Sequence, residues 1–251
     1  MIPSDTIVIV PTKRPPPIRT FVHYRIPECP VLVVADPEVY DAHVNHNISG
    51  PQLTIIKGAY GLGAQMWECY KQAALHGYKW WFRLDDDLSP LTFIDLDRVY
   101  PNITEVVQYA RWCVEVTDTT LAGFANTTNT HWLKDEYTRT WGLIAGLAVI
   151  ACSALDPAPY IDRRIIRGED VYRSCSHRVK DGAVGRVAFV GVDKSDATMD
   201  SSAGDLLHAE SRQIILDTFG SMVTCNGTRW IHNDTVEIPN WKLHRGGNFR
   251  A

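Results

Sequence analysis

This sequence predicts an α/β fold, with one mostly parallel, Rossmann-like sheet flanked by helices, on three observations. Strand-like and helix-like segments alternate through the N-terminal half. One apolar, aromatic-rich run, Lys79-Trp80-Trp81-Phe82-Arg83-Leu84, reads as a buried strand that stops abruptly at Asp85-Asp86-Asp87 and a Ser89-Pro90 turn signal. The chain has 251 residues, 45% of them hydrophobic, enough for one large core shared by two halves, about 1–125 and 126–251. Strands that alternate with helices need covering on both faces, which favours parallel pairing.

The elements follow in order. Thr6 to Val10 reads as a short strand broken by Pro11, and Lys13 to Pro17 as a basic, Pro-rich loop. Val31 to Ala35 and Leu53 to Ile56 are further strands, the second followed by Gly58-Ala59-Tyr60-Gly61-Leu62-Gly63. A helix over about 62–76 would turn Leu62, Met66, Cys69, Tyr70 and Ala73 inward. After the aspartate strand, a helix over about 103–116 carries Ile103, Val106, Val107, Ala110 and Cys113 or Val114 at helical period, with Asn102 and Glu105 resembling a capping pair. Strands near 121–125 and 143–151 follow. A helix starting at Glu169 or Asp170 would bury Val171, Cys175 and Val179 and end at Asp181-Gly182. A last helix over about 205–219 has Leu206, Leu207, Ile214, Ile215 and Phe219 on its core face.

Composition narrows the classes. A net charge of −4 gives no general attraction to nucleic acid, though a local basic groove remains compatible with it. Six scattered cysteines without a Cys-x-x-Cys pair argue against a zinc site and for buried free thiols. No signal peptide and no apolar run of membrane-spanning length is visible, so the expectation is a soluble cytoplasmic protein without a membrane partner. The five Asn-x-Ser/Thr sequons, at Asn47, Asn102, Asn126, Asn226 and Asn233, then read as incidental.

Three adjacent carboxylates repel one another, so a fold that gathers them usually supplies a cation. Mg²⁺ and Mn²⁺ take oxygen ligands, and Mg²⁺ typically uses one or two carboxylates plus substrate phosphates. On extended backbone Asp85 and Asp87 would share one face and Asp86 the other. The carboxyl end of a strand is where open α/β sheets bind ligands. The plainer alternative is a solvated acidic turn. Further on, Glu169 and Asp170 at a helix start have a capping reading and a functional one, a general base aimed at the open edge of the sheet. Arg163, Arg164, Arg167, Arg173, Arg178 and Lys180 form the densest basic cluster, either a solvated helix face or a phosphate-contacting surface. The small-residue loop Thr198 to Gly204 before a helix is a weak anion signal.

Four pieces together resemble a GT-A type nucleotide-sugar glycosyltransferase: the first strand with Pro11-Thr12-Lys13-Arg14, the Gly61-x-Gly63 helix start, Asp85-Asp86-Asp87, and Gly168-Glu169-Asp170. The compact length and the Arg167-Gly168-Glu169-Asp170-Val171 helix start are similar to the TET/JBP-associated glycosyltransferases, which sugar-modify hydroxymethylated pyrimidines in DNA of phages and some protists. The resemblance implies that Asp85 or Asp86 lies near the ribose, with Thr12, Lys13 and Arg14 beside the nucleotide. It implies that Asp87, with Asp85, binds a Mn²⁺ or Mg²⁺ bridging the diphosphate of a UDP-linked donor. His208, His232 or His244 would complete the metal shell, and Asp170 or Glu169 would be the base of an inverting reaction. A DNA acceptor carrying 5-hydroxymethylcytosine would meet Arg163, Arg164 and Arg167, and Trp132, Tyr137, Trp141 or Tyr172 could stack on an extruded base.

Other readings stay open. The donor half would serve equally for a small-molecule, glycan or protein acceptor. A nucleotidyltransferase also pairs carboxylates with Mg²⁺, but usually has a Gly-rich loop after its first strand, where this chain has Pro15-Pro16-Pro17. A sugar- or DNA-binding module is the non-enzyme alternative.

Overall fold

The computed structural model describes residues 2–23, 29–46, 52–88, 91–95, 103–140, 142–144, 148–192, 205–226, 229–232 and 242–244. The chain opens with β1 (Thr6–Thr12), α1 (Thr20–His23), β2 (Val31–Ala35), α2 (Tyr40–Asn45), β3 (Leu53–Lys57), α3 (Leu62–Leu75) and β4 (Trp80–Leu84). It continues through β5 (Thr92–Phe93), α4 (Ile103–Thr117), β6 (Leu121–Ala125), β7 (Glu136–Thr140), β8 (Ala148–Cys152), α5 (Glu169–Asp181) and β9 (Val184–Gly191). It closes with α6 (Asp205–Phe219), β10 (Val223–Asn226), β11 (Arg229–His232) and β12 (Lys242–His244). The main sheet runs β12-β7-β9-β6-β8-β4-β1-β2-β3, with β5 on β9, and β10 and β11 form a separate hairpin.

The α/β class, one central sheet flanked by helices, is as the sequence predicts. The parallel pairing is confined to β3, β2, β1 and β4, and to β6 with β9. β8 runs antiparallel between β4 and β6, and β7 runs antiparallel to β9, so the second half of the sheet is mixed rather than parallel.

Alternate residues of each central strand serve two cores. Val8, Val10, Phe82 and Leu84 pack with Val106, Val107 and Ala110 of α4 on one face. Ile7, Ile9 and Trp81 pack with Met66, Cys69 and Tyr70 of α3 and Val171 and Cys175 of α5 on the other. Both Cys113 and Val114 are buried.

Several expectations need correction. Pro11 does not break β1. Val8 donates its N–H toward β2, to the Pro30 carbonyl, so odd-numbered N–H groups face β4; Pro11 lies beyond the Thr6–Ile9 span that pairs with β4, where a missing donor costs little. The strand expected from Leu143 begins only at Ala148. Val179 is 68% exposed, because α5 turns Val171 and Cys175 inward and Val179 falls off that stripe. Ile215 and Phe219 of α6 are buried as expected, while the side chains of Leu206 and Leu207 and the Asn102 cap lie outside the described residues, as does the 198–204 loop. β7 and β9 have no counterpart in the sequence reading.

Candidate active site

The triplet stands where β4 ends, and each carboxylate has its own partner. Asp85 continues the alternation of β4 and lies on the side of Arg83, whose Nη2 sits 2.6 Å from Asp85 Oδ1. The chain turns at Asp86, which accepts a 2.5 Å hydrogen bond from Thr12 Oγ1. Asp87 follows that turn toward the same loop and meets Arg14 Nη2 at 2.8 Å. Asp85 and Asp87 therefore have different cationic partners rather than one shared face; extended geometry ends one residue too early. The turn is tied down through Thr20, which donates its Oγ1 to the Asp85 carbonyl and its N–H to the Asp86 carbonyl, and accepts from Leu88 N–H at 3.0 Å.

The loop after β1 thus reaches the triplet. Thr12 and Arg14 touch it directly, whereas Lys13 is exposed. His43, fully buried on α2, approaches the Arg14 carbonyl with Nε2 at 2.8 Å and holds the loop from behind. Burial raises the Asp86 carboxyl above its ordinary range and the neighbouring Asp87 charge adds to this; the Thr12 hydrogen bond opposes it.

Across the sheet face stands the N-terminus of α5. Gly168 adopts φ +79°, a left-handed conformation that favours glycine, and it turns the chain so that Glu169 and Asp170 occupy the first helical turn. Glu169 is buried, and its Oε1 accepts from Arg83 Nη1 at 3.0 Å. Burial alone would raise its carboxyl, but Arg83 and Arg173 more than offset that and hold it low. Asp170 differs. Its side chain accepts from its neighbour Val171 N–H at 2.9 Å, and desolvation, followed by the Glu169 charge beside it, pushes it up to about 6. It nevertheless retains partial solvent exposure. Of the two candidate bases, Glu169 is an ion-pair partner of Arg83, whereas the Asp170 carboxyl is raised by desolvation and by the Glu169 charge.

The glycine helix start has a packing role. A Cβ on Gly63 would collide with the Asp162 carbonyl and lie 2.6 Å from the Ile165 carbonyl, which accepts the Gly63 N–H at 2.6 Å. Gly63 therefore lets the 162–165 loop, which leads into α5, lie directly on the start of α3. Ser211 of α6 supports the same loop, its Oγ accepting from Ile166 N–H at 2.9 Å.

The basic cluster does not form one surface. Arg173 is fully buried and Arg178 is 3% exposed. Arg163 lies outside, with its guanidinium 4.2 Å over the Trp67 ring, and Arg164 pairs with Asp162 at 2.6 Å. Arg167 is partly exposed on the same loop. Of the proposed stacking aromatics, Tyr137 is core and Tyr172 packs edge-on against Phe219; Trp132 is 68% exposed, and Trp141 lies outside the described residues. His244 pairs in register with Glu136, at the end of the sheet that bears the triplet but on its edge strand. The side chains of His208, His232 and His244 lie outside the described residues.

Among the described residues no three His, Cys, Asp or Glu side chains converge on a metal position. The donor set still suits a hard cation. Asp86 is a partly buried carboxylate raised by desolvation and further by the Asp87 charge, and Asp87 is held by an arginine whose side chain is 37% exposed. One or two carboxylates with substrate phosphates is the usual Mg²⁺ arrangement. Nor does any described helix have the length and apolarity to cross a membrane.

No protein-family model and no curated protein matches the sequence. Solved structures match in fold. S. aureus TarS superposes with a TM-score of 0.52 at 14% identity, over 85% of this chain and 39% of that one. TarS residues 1–349 in complex with UDP-GlcNAc gives 0.51 at 14% identity, over 85% and 66%. The chain thus spans less than two thirds of the length of either structure. These likenesses show the fold, the GT-A type expected from the sequence.

Proposed function

We propose that the protein is a metal-dependent glycosyltransferase that moves a sugar from a UDP-linked donor to an acceptor hydroxyl, with inversion at the sugar carbon. One observation carries this reading: Asp85, the first carboxylate of the triplet at the carboxyl end of β4, and Glu169, the residue before Asp170 at the start of α5, meet on the two ends of the Arg83 guanidinium. The TarS complex with UDP-GlcNAc, on a shared fold, supports the choice of donor class.

In this reading Thr12, Lys13 and Arg14 lie along the nucleotide, with Asp85 or Asp86 toward the ribose. Asp87, with a second triplet carboxylate, would hold Mn²⁺ or Mg²⁺, which when bound supplies positive charge to the diphosphate leaving group. His208 or His244 would complete the shell. Asp170 removes the acceptor hydroxyl proton as its oxygen attacks the sugar anomeric carbon. The new C–O bond forms while the bond to the diphosphate oxygen breaks, and the electron pair leaves with the nucleoside diphosphate.

For the acceptor, the hydroxymethyl group of 5-hydroxymethylcytosine in DNA is the finer reading, supported by the sequence resemblance and by Arg163, Arg164 and Arg167 on the loop that leads to Asp170. The pairing of Arg164 with Asp162 and the burial of Arg173 favour a second reading, an acceptor that is a small molecule, glycan or protein. A panel of nucleotide sugars with Mn²⁺, offered hydroxymethylcytosine DNA and read by mass spectrometry of nucleosides, tests both levels. UDP release without a modified nucleoside would favour the second reading. No donor turnover with any nucleotide sugar would remove the glycosyltransferase itself.

A further inference from the structure

Arg83 sits in the middle of β4, inside an aromatic strand whose other members are core, and is itself only 4% exposed. Its two terminal nitrogens take two carboxylates from different parts of the chain: Nη2 reaches Asp85 at 2.6 Å, and Nη1 reaches Glu169 at 3.0 Å. The Met66 sulfur of α3 lies 3.3 Å from Nη1 and 3.7 Å from Nη1 of Arg173, so it separates two buried guanidiniums. Arg173, fully buried, keeps Nε and Nη2 without a hydrogen-bond partner among the described residues. A buried arginine shared between two carboxylates is directional, because the planar fork fixes the angle between its two partners. Asp85 begins the triplet, and Glu169 is the residue before Asp170.

We propose that Arg83 is a positioning residue: the Asp85–Arg83–Glu169 bridge mechanically couples the donor-side triplet to the first turn of α5, so that occupation of the nucleotide site sets the placement of Asp170. This rests on the donor-and-base reading of the site. Met66, Cys69 and Tyr70 of α3 also pack between β4 and α5, but apolar packing has no directionality of this kind. The bridge makes donor binding and base placement one event.

Hydrogen exchange of the Tyr172–Cys175 amides of α5, with and without UDP and Mn²⁺, tests this without knowledge of the acceptor. Bound UDP should slow exchange there by about 5- to 100-fold in the wild type, the span of ordinary site-to-site coupling. In Arg83→Lys, whose single ammonium cannot span both carboxylates, UDP should still bind by calorimetry while the slowing is lost. For UDP release from UDP-GlcNAc, kcat should fall by about 10- to 100-fold, the scale of a small misplacement. Donor KM should stay within about threefold, since only the step after binding is touched. If Arg83→Lys does not fold, Glu169→Gln, which keeps the acceptor oxygen and volume but loses the charge, is read in the same way. Slowing that survives these variants, or that is absent from UDP-bound wild type, overturns the bridge alone. Wild type that binds no UDP removes the donor reading, and the bridge's role with it.

Discussion

Asp85-Asp86-Asp87 and the arginines of residues 163–178 are the two densest charge runs in the chain, and the fold treats them in opposite ways. The three aspartates stay together, each tied to a different cation or hydroxyl: Arg83, Thr12 and Arg14. The arginines are dispersed. Arg163 and Arg164 lie on an outer loop, whereas Arg173 and Arg178 turn into the protein along α5. The difference is one of secondary structure. A strand end and the turn after it keep neighbours in sequence close in space, with the strand supplying a fixed edge. A helix spreads consecutive residues over 360°, so a basic run that crosses from loop to helix cannot remain one patch.

The same reasoning explains what was legible in the sequence. Alternation and helical period located β2, α3, α4, α5 and α6 to within a residue or two, because both faces of this sheet are covered and every apolar position counts. The β4 strand was equally legible, but Arg83 within it was not. A cation among Trp80, Trp81, Phe82 and Leu84 breaks the apolar run, and only the tertiary partners Asp85 and Glu169 explain why it is tolerated. Spacing leaves Glu169 and Asp170 as alternatives for the same reason: which of the two carboxylates Arg83 pairs with is a tertiary fact. β7 escaped notice because Glu136-Tyr-Thr-Arg-Thr140 is a polar strand, paired with β9 on one side and with the short β12 on the other.

Predictions on the ordered side of the comparison have the largest expected effects. Asp170→Asn should lower transfer by about 10²- to 10⁴-fold, the usual weight of a general base, with UDP binding retained by calorimetry. Lost binding in a folded variant would assign Asp170 to the donor site instead. In the wild type the rate should climb with pH through about 6 as Asp170 ionises. The stability sign is opposite. An acid whose carboxyl is raised from 3.8 to about 6 in the folded state contributes stability fully below 3.8, and that contribution is lost as pH rises through about 6. At pH 7 the Asn variant should therefore melt higher than wild type, by a margin on the order of 1–2 kcal/mol. A variant that is both inactive and less stable at pH 7 would speak against a strained base.

Asp87→Asn keeps the size of the side chain and removes one charge from the triplet. It should cost at least about 100-fold in rate, comparable to the loss of one strong electrostatic stabiliser. Chelation of divalent metal should have a similar effect on the wild type, with activity restored by Mn²⁺. Full turnover in chelator would show that the triplet serves Arg14 and Thr12 alone.

Gly63→Ala probes the seam between the two charge runs. The new Cβ meets the Asp162 carbonyl and lies 2.6 Å from that of Ile165, so the loop ahead of α5 must lift from α3. Overpacking of this kind costs about 1–3 kcal/mol, visible as a lower Tm, with a fall in turnover through displaced Asp170. An unchanged Tm would mean that the loop is not seated where the contacts place it.

The smallest effect belongs to the dispersed arginines, and it bears directly on whether they act as a patch at all. If the acceptor is DNA, its phosphates need cations from a chain of net charge −4. Each neutralised phosphate contributes about −0.9 to the slope of log affinity against log salt on B-DNA. Arg163 has one face on Trp67, and Arg164 has Asp162 as a competing partner, so each would give up part of an existing contact to reach a phosphate. Replacing both with Ala should flatten the slope by roughly one to two units for any DNA sequence, while UDP release without acceptor stays nearly unchanged, since neither residue touches the triplet or Asp170. A flattening near zero, with binding intact, would shift the acceptor surface to other residues. Wild-type protein that binds no DNA at low salt would leave these arginines as loop fasteners, one stacked and one paired, and direct the search to small-molecule, glycan and protein hydroxyls.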